Sequence, residues 1–356
     1  MKRCIMAGII YGLILLTIPA VSTAGVLVYM PMGNANEIVV VDADKGEVVA
    51  RISGVINSHG LAVTPDGSTI VAGSLTELAN GELPVKPEQM SSDEHRAHHG
   101  RTEQQQAIRQ SERSGILYLI DVKQSRILNQ IRVPDAVHHN AITPDGKYAI
   151  STHPTAGLIS VVDIELAKVV KTIRTGSVPN YAVANRDGSL IYISNSGNNT
   201  VSEVDTKSWM ISRQLPAGDT PSHMALSPDE KRLYVTNEAA GKVLALDLSR
   251  GEVVKSYAVG TDAHGLALSH DGRILYASSK KKNRLVKVDL TSLKQQTLHL
   301  SPAPYHVAVI PEQNTVYVSS RKEAKIWVVD PVAFRVLKQI NLKHGMAHQM
   351  VSVTGK

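Results

Sequence analysis

Short apolar runs alternate with polar turn residues along this chain, and the alternation returns at a nearly constant interval. One complete unit consists of the segments 222–229, 231–237, 241–247 and 251–260. Each segment alternates apolar positions or is rich in β-branched side chains, and dipeptides such as Pro-Asp separate it from the next. Each unit therefore predicts four short strands joined by tight turns.

An aliphatic residue followed by aspartate marks the third predicted strand of every unit. Successive aspartates are 79, 42, 42, 42, 42 and 41 residues apart, so one repeat is about 42 residues long and the first copy carries an insertion. A fixed period of this length with four strands in each copy is typical of β-propeller blades. We interpret the aspartates as turn-forming residues rather than as paired catalytic carboxylates. They are Asp42, Asp121, Asp163, Asp205, Asp247, Asp289 and Asp330.

The two ends of the chain predict a closed ring. After six complete units, the C-terminal end has only one more inner strand, around 348–353, whereas the N-terminal end starts midway through a unit with 26–30 and 37–42. We therefore predict an all-β fold, a seven-bladed β-propeller with four antiparallel strands in each blade. N- and C-terminal strands share one blade, which removes the exposed sheet edges.

The second strand of several units carries a common string. Tyr-Val-Thr-Asn at 234–237 and its relatives at 192–195 and 317–320 resemble the YVTN family of seven-bladed β-propellers. The resemblance covers nearly all of the chain after residue 24 and implies the fold more strongly than the function. Propellers of this general type include periplasmic zinc chaperones that serve ABC importers. They also include the haem domain of periplasmic nitrite reductases, in which a histidine ligates the iron on the channel axis.

The first residues predict an export signal. A charged start, a mostly apolar stretch from Ile5 to Ile18, and Ser22-Thr-Ala24 before Gly25 indicate a signal peptide over 1–24. The apolar stretch is short for a bilayer span, so we expect no membrane span in the mature chain and a periplasmic location. Residues 25–356 are then a single propeller domain, with a histidine-containing loop insertion at about 75–113.

Composition limits the chemistry. Because the single cysteine, Cys4, lies in the predicted signal, the mature chain offers no disulfide, thiolate ligand or covalent haem motif. The net charge is +6, with basic residues at 280–284 and 321–322 in equivalent loops of two blades. Basic loops of this kind suit an anionic cofactor, an acidic partner or a membrane surface, or simply keep the protein in solution. No aromatic and basic platform indicates a nucleic-acid partner.

Histidines recur at the start of the innermost strand of the blades, where a propeller brings distant residues to one axis. Counting 17 residues on from each aspartate, or 16 in the sixth copy, gives two adjacent columns of residues. The first column reads His59, His138, Asn180, Ser222, His264, Tyr305 and Ala347, and the second reads Gly60, His139, Tyr181, His223, Gly265, His306 and His348. Neutral imidazole is a common ligand of zinc, copper and haem iron. We therefore predict a metal site formed by His59, His138, His139, His223, His264, His306 and His348.

The alternative is that these histidines are structural residues that tie each blade to the next. An inherited structural histidine would keep to one column, whereas these alternate between two. The insertion adds His95, His98 and His99, and the matching loop of the next blade adds His153, as auxiliary ligands on the same face. The insertion is either a lid or ligand-delivery arm, or a solvent-exposed and partly disordered loop.

We predict a metal-binding propeller that binds or carries zinc or copper, acts as a monomer and delivers its ion to a transporter or another periplasmic protein. Tetrapyrrole (haem) binding is the first alternative, although the chain supplies few aromatic residues for such a pocket. A non-catalytic protein-interaction scaffold is the second. Since the sequence has no nucleophile elbow, phosphate-binding glycine loop or His-Glu-x-x-His, we expect no enzyme, and a propeller subunit like that of amine dehydrogenases is a more distant interpretation.

Overall fold

Seven antiparallel sheets form the part of the chain that the computed structural model describes, residues 25–79 and 113–354. The strands are β1 (Val26–Met32), β2 (Glu37–Asp42), β3 (Glu47–Ser53), β4 (Ser58–Val63), β5 (Thr69–Ser74), β6 (Leu78–Ala79), β7 (Arg113–Asp121), β8 (Arg126–Val133), β9 (Asn140–Ile142), β10 (Tyr148–His153), β11 (Leu158–Asp163), β12 (Lys168–Arg174), β13 (Pro179–Ala184), β14 (Leu190–Asn195), β15 (Thr200–Asp205), β16 (Met210–Pro216), β17 (Pro221–Leu226), β18 (Arg232–Asn237), β19 (Lys242–Asp247), β20 (Glu252–Ala258), β21 (Ala263–Leu268), β22 (Ile274–Ser279), β23 (Arg284–Asp289), β24 (Gln295–His299), β25 (Pro304–Ile310), β26 (Thr315–Ser320), β27 (Lys325–Asp330), β28 (Arg335–Asn341) and β29 (Val351–Thr354). Among the described residues, two short 3-10 helices, Gly33–Ala35 and Pro311–Gln313, lie between strands.

The sheets are the blades of an all-β, seven-bladed β-propeller, as predicted. Blade 1 has the order β29-β1-β2-β3, blade 2 contains β4, β5, β7 and β8, and blades 3 to 7 each use four consecutive strands from β9 to β28. β29 pairs antiparallel with β1, with Leu27 opposite Val353, so one C-terminal and three N-terminal strands share a blade. The predicted ring closure is confirmed.

Apolar side chains on the second and third strands of each blade pack against the neighbouring blade. Tyr29, Tyr118, Tyr276 and Tyr317 are among the largest fully buried side chains, and aliphatic residues surround them. The first strands of adjacent blades also contact one another, as β13 contacts β17 and β17 contacts β21. This packing fixes the inner strands around a common channel, so the residues at their starts meet there.

The repeated aspartates make turns, as predicted. In all seven the carboxylate accepts a hydrogen bond from a backbone N–H two or three residues later, as Asp205 does from Ser208 at 2.7 Å. This contact satisfies a backbone donor at the turn between the third and fourth strands. The aspartates therefore belong to the scaffold.

The insertion leaves blade 2 after β5. Its first residues form β6, in which Leu78 pairs with Ser114 at the beginning of β7. Most of the predicted insertion, with His95, His98 and His99, and the predicted signal peptide over 1–24 lie outside the described residues. Within the described part of the chain, no helix is long and apolar enough to cross a membrane.

Candidate metal centre

All seven histidines of the two predicted columns lie together at one end of the channel. The ring centroid of His59 is 4.2 Å from that of His348 and 4.5 Å from that of His138. His306 lies across the axis, 5.5 Å from His59 and 4.9 Å from His223. Residues up to about 290 positions apart in the sequence thus form one cluster of imidazoles, which we call the histidine cluster; its members are His59, His138, His139, His223, His264, His306 and His348.

Two glycines explain why the histidines alternate between two columns. A Cβ added to Gly60 would lie 2.6 Å from the Cα of His139, and one added to Gly265 would lie 2.2 Å from the carbonyl oxygen of Tyr305. The inner strand of the next blade therefore approaches at backbone distance at both places. At these two blades only glycine fits the second column, so the histidine, His59 or His264, occupies the first.

The histidine cluster is buried, and burial sets its protonation. Of its rings, His138 alone is partly exposed, while the other six are almost entirely shielded from solvent. Desolvation, with a smaller contribution from neighbouring imidazoles and from Lys280, lowers the pKa well below the ordinary 6.5 in His59, His139, His223, His264 and His306. These rings are neutral at neutral pH, which is the form that binds metals.

Hydrogen bonds to the protein select one tautomer in two of these rings. His139 Nδ1 donates to the carbonyl oxygen of Asn180 at 3.0 Å, and His264 Nδ1 donates to Glu238 Oε1 at 2.5 Å. A carbonyl or carboxylate oxygen only accepts, so the ring proton is on Nδ1 and the lone pair is on Nε2. Outer partners of this kind orient the histidines of metal sites and make them better donors to the ion.

The remaining ring nitrogens of the cluster supply the donor set. Six of them are buried without a hydrogen-bond partner among the described residues, namely both nitrogens of His59 and the Nε2 atoms of His139, His223, His264 and His306. A buried polar atom left unpaired costs about 1–3 kcal/mol, so a cluster of them calls for a ligand. Neutral imidazole nitrogens that lie this close together suit a transition-metal ion.

Within residues 25–79 and 113–354, four groups of three residues place their ligand atoms within 4.8 Å of one another. These groups are His59–His138–His139, His59–His306–His348, His139–His223–His306 and His223–Glu238–His264. Three protein ligands and one open position are the arrangement of catalytic zinc, and a fourth protein ligand gives a closed structural site. The residues present therefore fit an ion bound by nitrogen, or by nitrogen and one carboxylate.

Glu238 and Tyr305 belong to the site but were not among its predicted residues. The Tyr305 ring stacks on His264 at 4.2 Å with an interplanar angle of 13°. Lys280 and Arg321 lie 5.4 and 5.3 Å from the centre of the same ring, so the basic loops meet the mouth of the channel. Aligning the residue that follows the second strand would have found all three loop residues, because Glu238, Lys280 and Arg321 occupy this position in successive blades.

His153 does not join the cluster. Its Nδ1 lies 2.9 Å from the carbonyl oxygen of Asp135, and its Nε2 lies 2.8 Å from Ser160 Oγ. Burial lowers its pKa to about 4. With both nitrogens bonded to protein, His153 ties β10 to its surroundings, and the structure does not bring it to the other predicted ligands.

Comparison with known proteins gives a partial family match. The model of a family described as lactonase, 7-bladed beta-propeller, matches residues 205–333, less than half of the 356-residue chain. No curated protein sequence matches the chain. The matched segment includes His223, Glu238, His264 and His306. The matching family model is that of the lactonase propellers, and membership of the YVTN family is not confirmed.

Solved structures resemble the whole ring. The periplasmic gluconolactonase PpgL of Pseudomonas aeruginosa has a TM-score of 0.71 and 18% identity, over 94% of this chain and 99% of that one. A proposed 6-phosphogluconolactonase from Bacteroides fragilis has a TM-score of 0.70 and 16% identity, over 94% and 100%. The dihydro-haem d1 dehydrogenase NirN, solved in complex with DHE, has a TM-score of 0.62 and 14% identity, over 88% and 63%.

These likenesses establish the fold, because identities this low carry no activity across. They nevertheless contradict the expectation that the chain is no enzyme, since the matching family model and two of these neighbours carry lactonase names. Catalytic motifs of contiguous residues are a poor guide in a propeller, where a site is assembled from several blades. The comparisons therefore place the chain among seven-bladed β-propellers, with a lactonase family as the one its sequence matches in part.

Proposed function

We propose that this propeller binds a divalent first-row transition metal, zinc or copper, in the histidine cluster. The observation that carries the proposal is the set of buried imidazole nitrogens that have no hydrogen-bond partner among the residues the structure describes. Their rings are neutral, and Asn180 and Glu238 hold two of them in the tautomer that leaves Nε2 free. No other ligand chemistry uses several converging neutral nitrogens as well as a metal ion does.

Zinc and copper are the ions that such a donor set favours. Imidazole suits both, and the affinity order of divalent ions places copper above zinc. The three-residue groups leave room for a tetrahedral arrangement, which zinc adopts in proteins. With the predicted signal peptide, this supports a periplasmic protein that holds the ion for a transporter or another partner protein.

Haem binding has weaker support. NirN resembles this chain in fold, and the basic residues Lys280 and Arg321 at the channel mouth would suit haem carboxylates. The rings of the histidine cluster, however, meet across the axis at centroid distances such as 5.5 Å between His59 and His306. Rings in contact across the channel leave no gap between them for a planar macrocycle.

Direct titration tests the metal proposal. We expect metal-free protein comprising residues 25–356 to take up zinc in equilibrium dialysis, with bound metal counted by elemental analysis. The triple variant His139→Gln, His223→Gln and His306→Gln removes a ligand from all four groups, so affinity should fall by at least ~100-fold. His299→Ala is the matched control, because His299 is exposed at the end of β24. A wild-type protein that binds no zinc, or a triple variant that binds it equally well, would refute the proposal.

Lactone hydrolysis is the second candidate function, and the partial match to the lactonase family favours it. The matched segment supplies His223, Glu238 and His264, a group with the two-histidine, one-glutamate composition of some catalytic zinc sites. Zinc bound with an open position lowers the pKa of its water to about 7. Glu238 is the solvent-facing member, with 30% of its side chain exposed, so a substrate could approach from the mouth.

Hydrolysis is checked by the acid it releases. In a pH-stat, we expect zinc-loaded protein to open δ-gluconolactone faster than buffer containing zinc alone. The triple histidine variant should lose this excess rate by ~100-fold, since it loses the ion. A zinc-loaded wild-type protein with no rate above the buffer blank would exclude this lactone as substrate and leave metal binding as the proposed function.

A further inference from the structure

The group formed by His223, Glu238 and His264 differs from the other three groups in the channel. It alone contains an oxygen ligand, and it shares no residue with His59–His306–His348 or with His59–His138–His139. We propose that the channel holds two metal ions at once. One lies inside, bound by nitrogen alone, and the second lies at the mouth, bound by His223, Glu238 and His264, which we call the mouth site. This inference rests on the proposed metal binding and adds a separate site to it.

Hydrogen bonds already organise the mouth site. Ser222 Oγ donates to Glu238 Oε1 at 3.1 Å and lies 3.1 Å from Nδ1 of His223, so it accepts from that nitrogen. The same carboxylate oxygen accepts from His264 Nδ1. At this site the ion takes the place of the His264 Nδ1 proton, because Nε2 of that ring points away from Glu238. The Nε2 atom of His223 is buried and has no hydrogen-bond partner among the described residues. One serine and one carboxylate thus set the orientation of both rings.

The charges around the mouth make the second ion the weaker one. Lys280 Nζ lies 3.5 Å from His264 Nδ1 and opposes a cation there, although Asp262 partly neutralises it at 3.0 Å. The inner ion also repels a second dication. The Glu238 carboxylate offsets part of this repulsion and, as a hard oxygen donor, accepts ions that an imidazole-only site binds poorly. We therefore expect one tight and one weaker binding step.

His223 couples the two sites. It belongs to the mouth site and also to His139–His223–His306. If the inner ion uses that group, the mouth site loses a ligand. Both ions are accommodated only when the inner ion moves to a group centred on His59. The second ion therefore binds with a rearrangement inside the cluster, and the two steps should be resolved in a titration.

Two variants separate the sites. Glu238→Gln removes the carboxylate but leaves the nitrogen-only groups intact, whereas His139→Gln with His306→Gln breaks all three nitrogen-only groups and keeps the mouth site. We expect two zinc ions per chain in wild type, one tight ion in Glu238→Gln, and one weak ion in the double histidine variant, by equilibrium dialysis and elemental analysis. Glu323→Gln is the matched control, because Glu323 is an acid in the equivalent loop of blade 7 that pairs with Lys325.

Each outcome has a distinct meaning. A wild-type protein that binds one ion, with Glu238→Gln unchanged, overturns the mouth site and keeps the proposed function. A single ion whose affinity falls in Glu238→Gln makes Glu238 an outer partner of His264 rather than a ligand, and also overturns it. Zinc absent from wild type refutes metal binding itself. If the double histidine variant unfolds, Glu238→Gln still decides between one ion and two.

Discussion

Acidification below pH 6.5 destabilises the metal-free protein steeply, because the histidine cluster resists protonation in the folded state. Five of its buried rings, those of His59, His139, His223, His264 and His306, have pKa values well below 6.5, whereas histidines in the unfolded chain titrate near that value. Between these two values the unfolded state binds more protons, so the free energy of unfolding falls as the pH falls. Well above pH 6.5 these rings are neutral in both the folded and the unfolded state, so their titration takes nothing from the free energy of unfolding.

The size of this effect follows from the number of rings. For every pH unit below 6.5, each ring lowers the free energy of unfolding by at most about 1.4 kcal/mol. Five rings together therefore lower it by up to ~7 kcal/mol for each unit. Domains of this kind are stable by only about 5–15 kcal/mol, so we expect the fold to be lost within one or two pH units below 6.5.

Urea denaturation at intervals between pH 8 and pH 5, with a chelator present, measures how steeply the free energy of unfolding changes with pH. Between pH 6 and pH 5, the wild-type free energy of unfolding should fall, because unfolding is accompanied by the uptake of about five protons by these rings and one more by His153. For the variant with His139→Gln and His306→Gln, the dependence of the free energy of unfolding on pH should correspond to two fewer protons taken up. His299→Ala, at an exposed position, should change this dependence little. A free energy of unfolding that stays flat from pH 7 to pH 5.5 would show that the rings accept protons within the fold.

The sequence predicted the ring and the meeting of the histidines because both depend on period. A constant repeat places the same position of every blade at the same height around the axis, so His59 and His306 meet although 247 residues separate them. The chain ends showed the shared blade in the same way, since β29 supplies the one strand that the N-terminal half-unit lacks. Turn aspartates such as Asp205 followed from local chemistry alone.

The rest of the site depends on contacts that have no period. Glu238 occurs at its position in one blade, and only the fold shows that its carboxylate reaches His264. His153 is a histidine predicted on the same face as the cluster, yet its ring contacts Asp135 and Ser160 instead. The absence of contiguous catalytic motifs predicts no enzyme, and this prediction fails because a site assembled from several blades leaves no such motif. Side-chain direction and inter-blade distance, rather than residue type, decide these points.

Substitution of Gly265 by alanine is expected to damage both the fold and the metal site. The added Cβ would lie 2.2 Å from the carbonyl oxygen of Tyr305 and 2.9 Å from the Cα of His306, so β25 must move away from β21. Overpacking typically costs about 1–3 kcal/mol, and we expect the upper end of this range here because backbone atoms cannot rotate aside as a side chain can. Since His306 belongs to two of the four ligand groups, its displacement should also weaken zinc binding.

Gly54 provides the control that separates collision from backbone strain. Its φ of +88° disfavours alanine, but the nearest atom to an added Cβ is Ile127 Cδ1 at 3.7 Å, so Gly54→Ala should cost about 1–2 kcal/mol and leave zinc affinity unchanged. Gly265 does not have a positive φ, so a larger loss of stability in Gly265→Ala than in Gly54→Ala would result from the close approach of the two blades. Urea denaturation and zinc titration of both variants make the comparison. Equal losses of stability, with equal zinc affinity, would mean that the inner strands can separate freely, and the cluster would then not depend on their close approach.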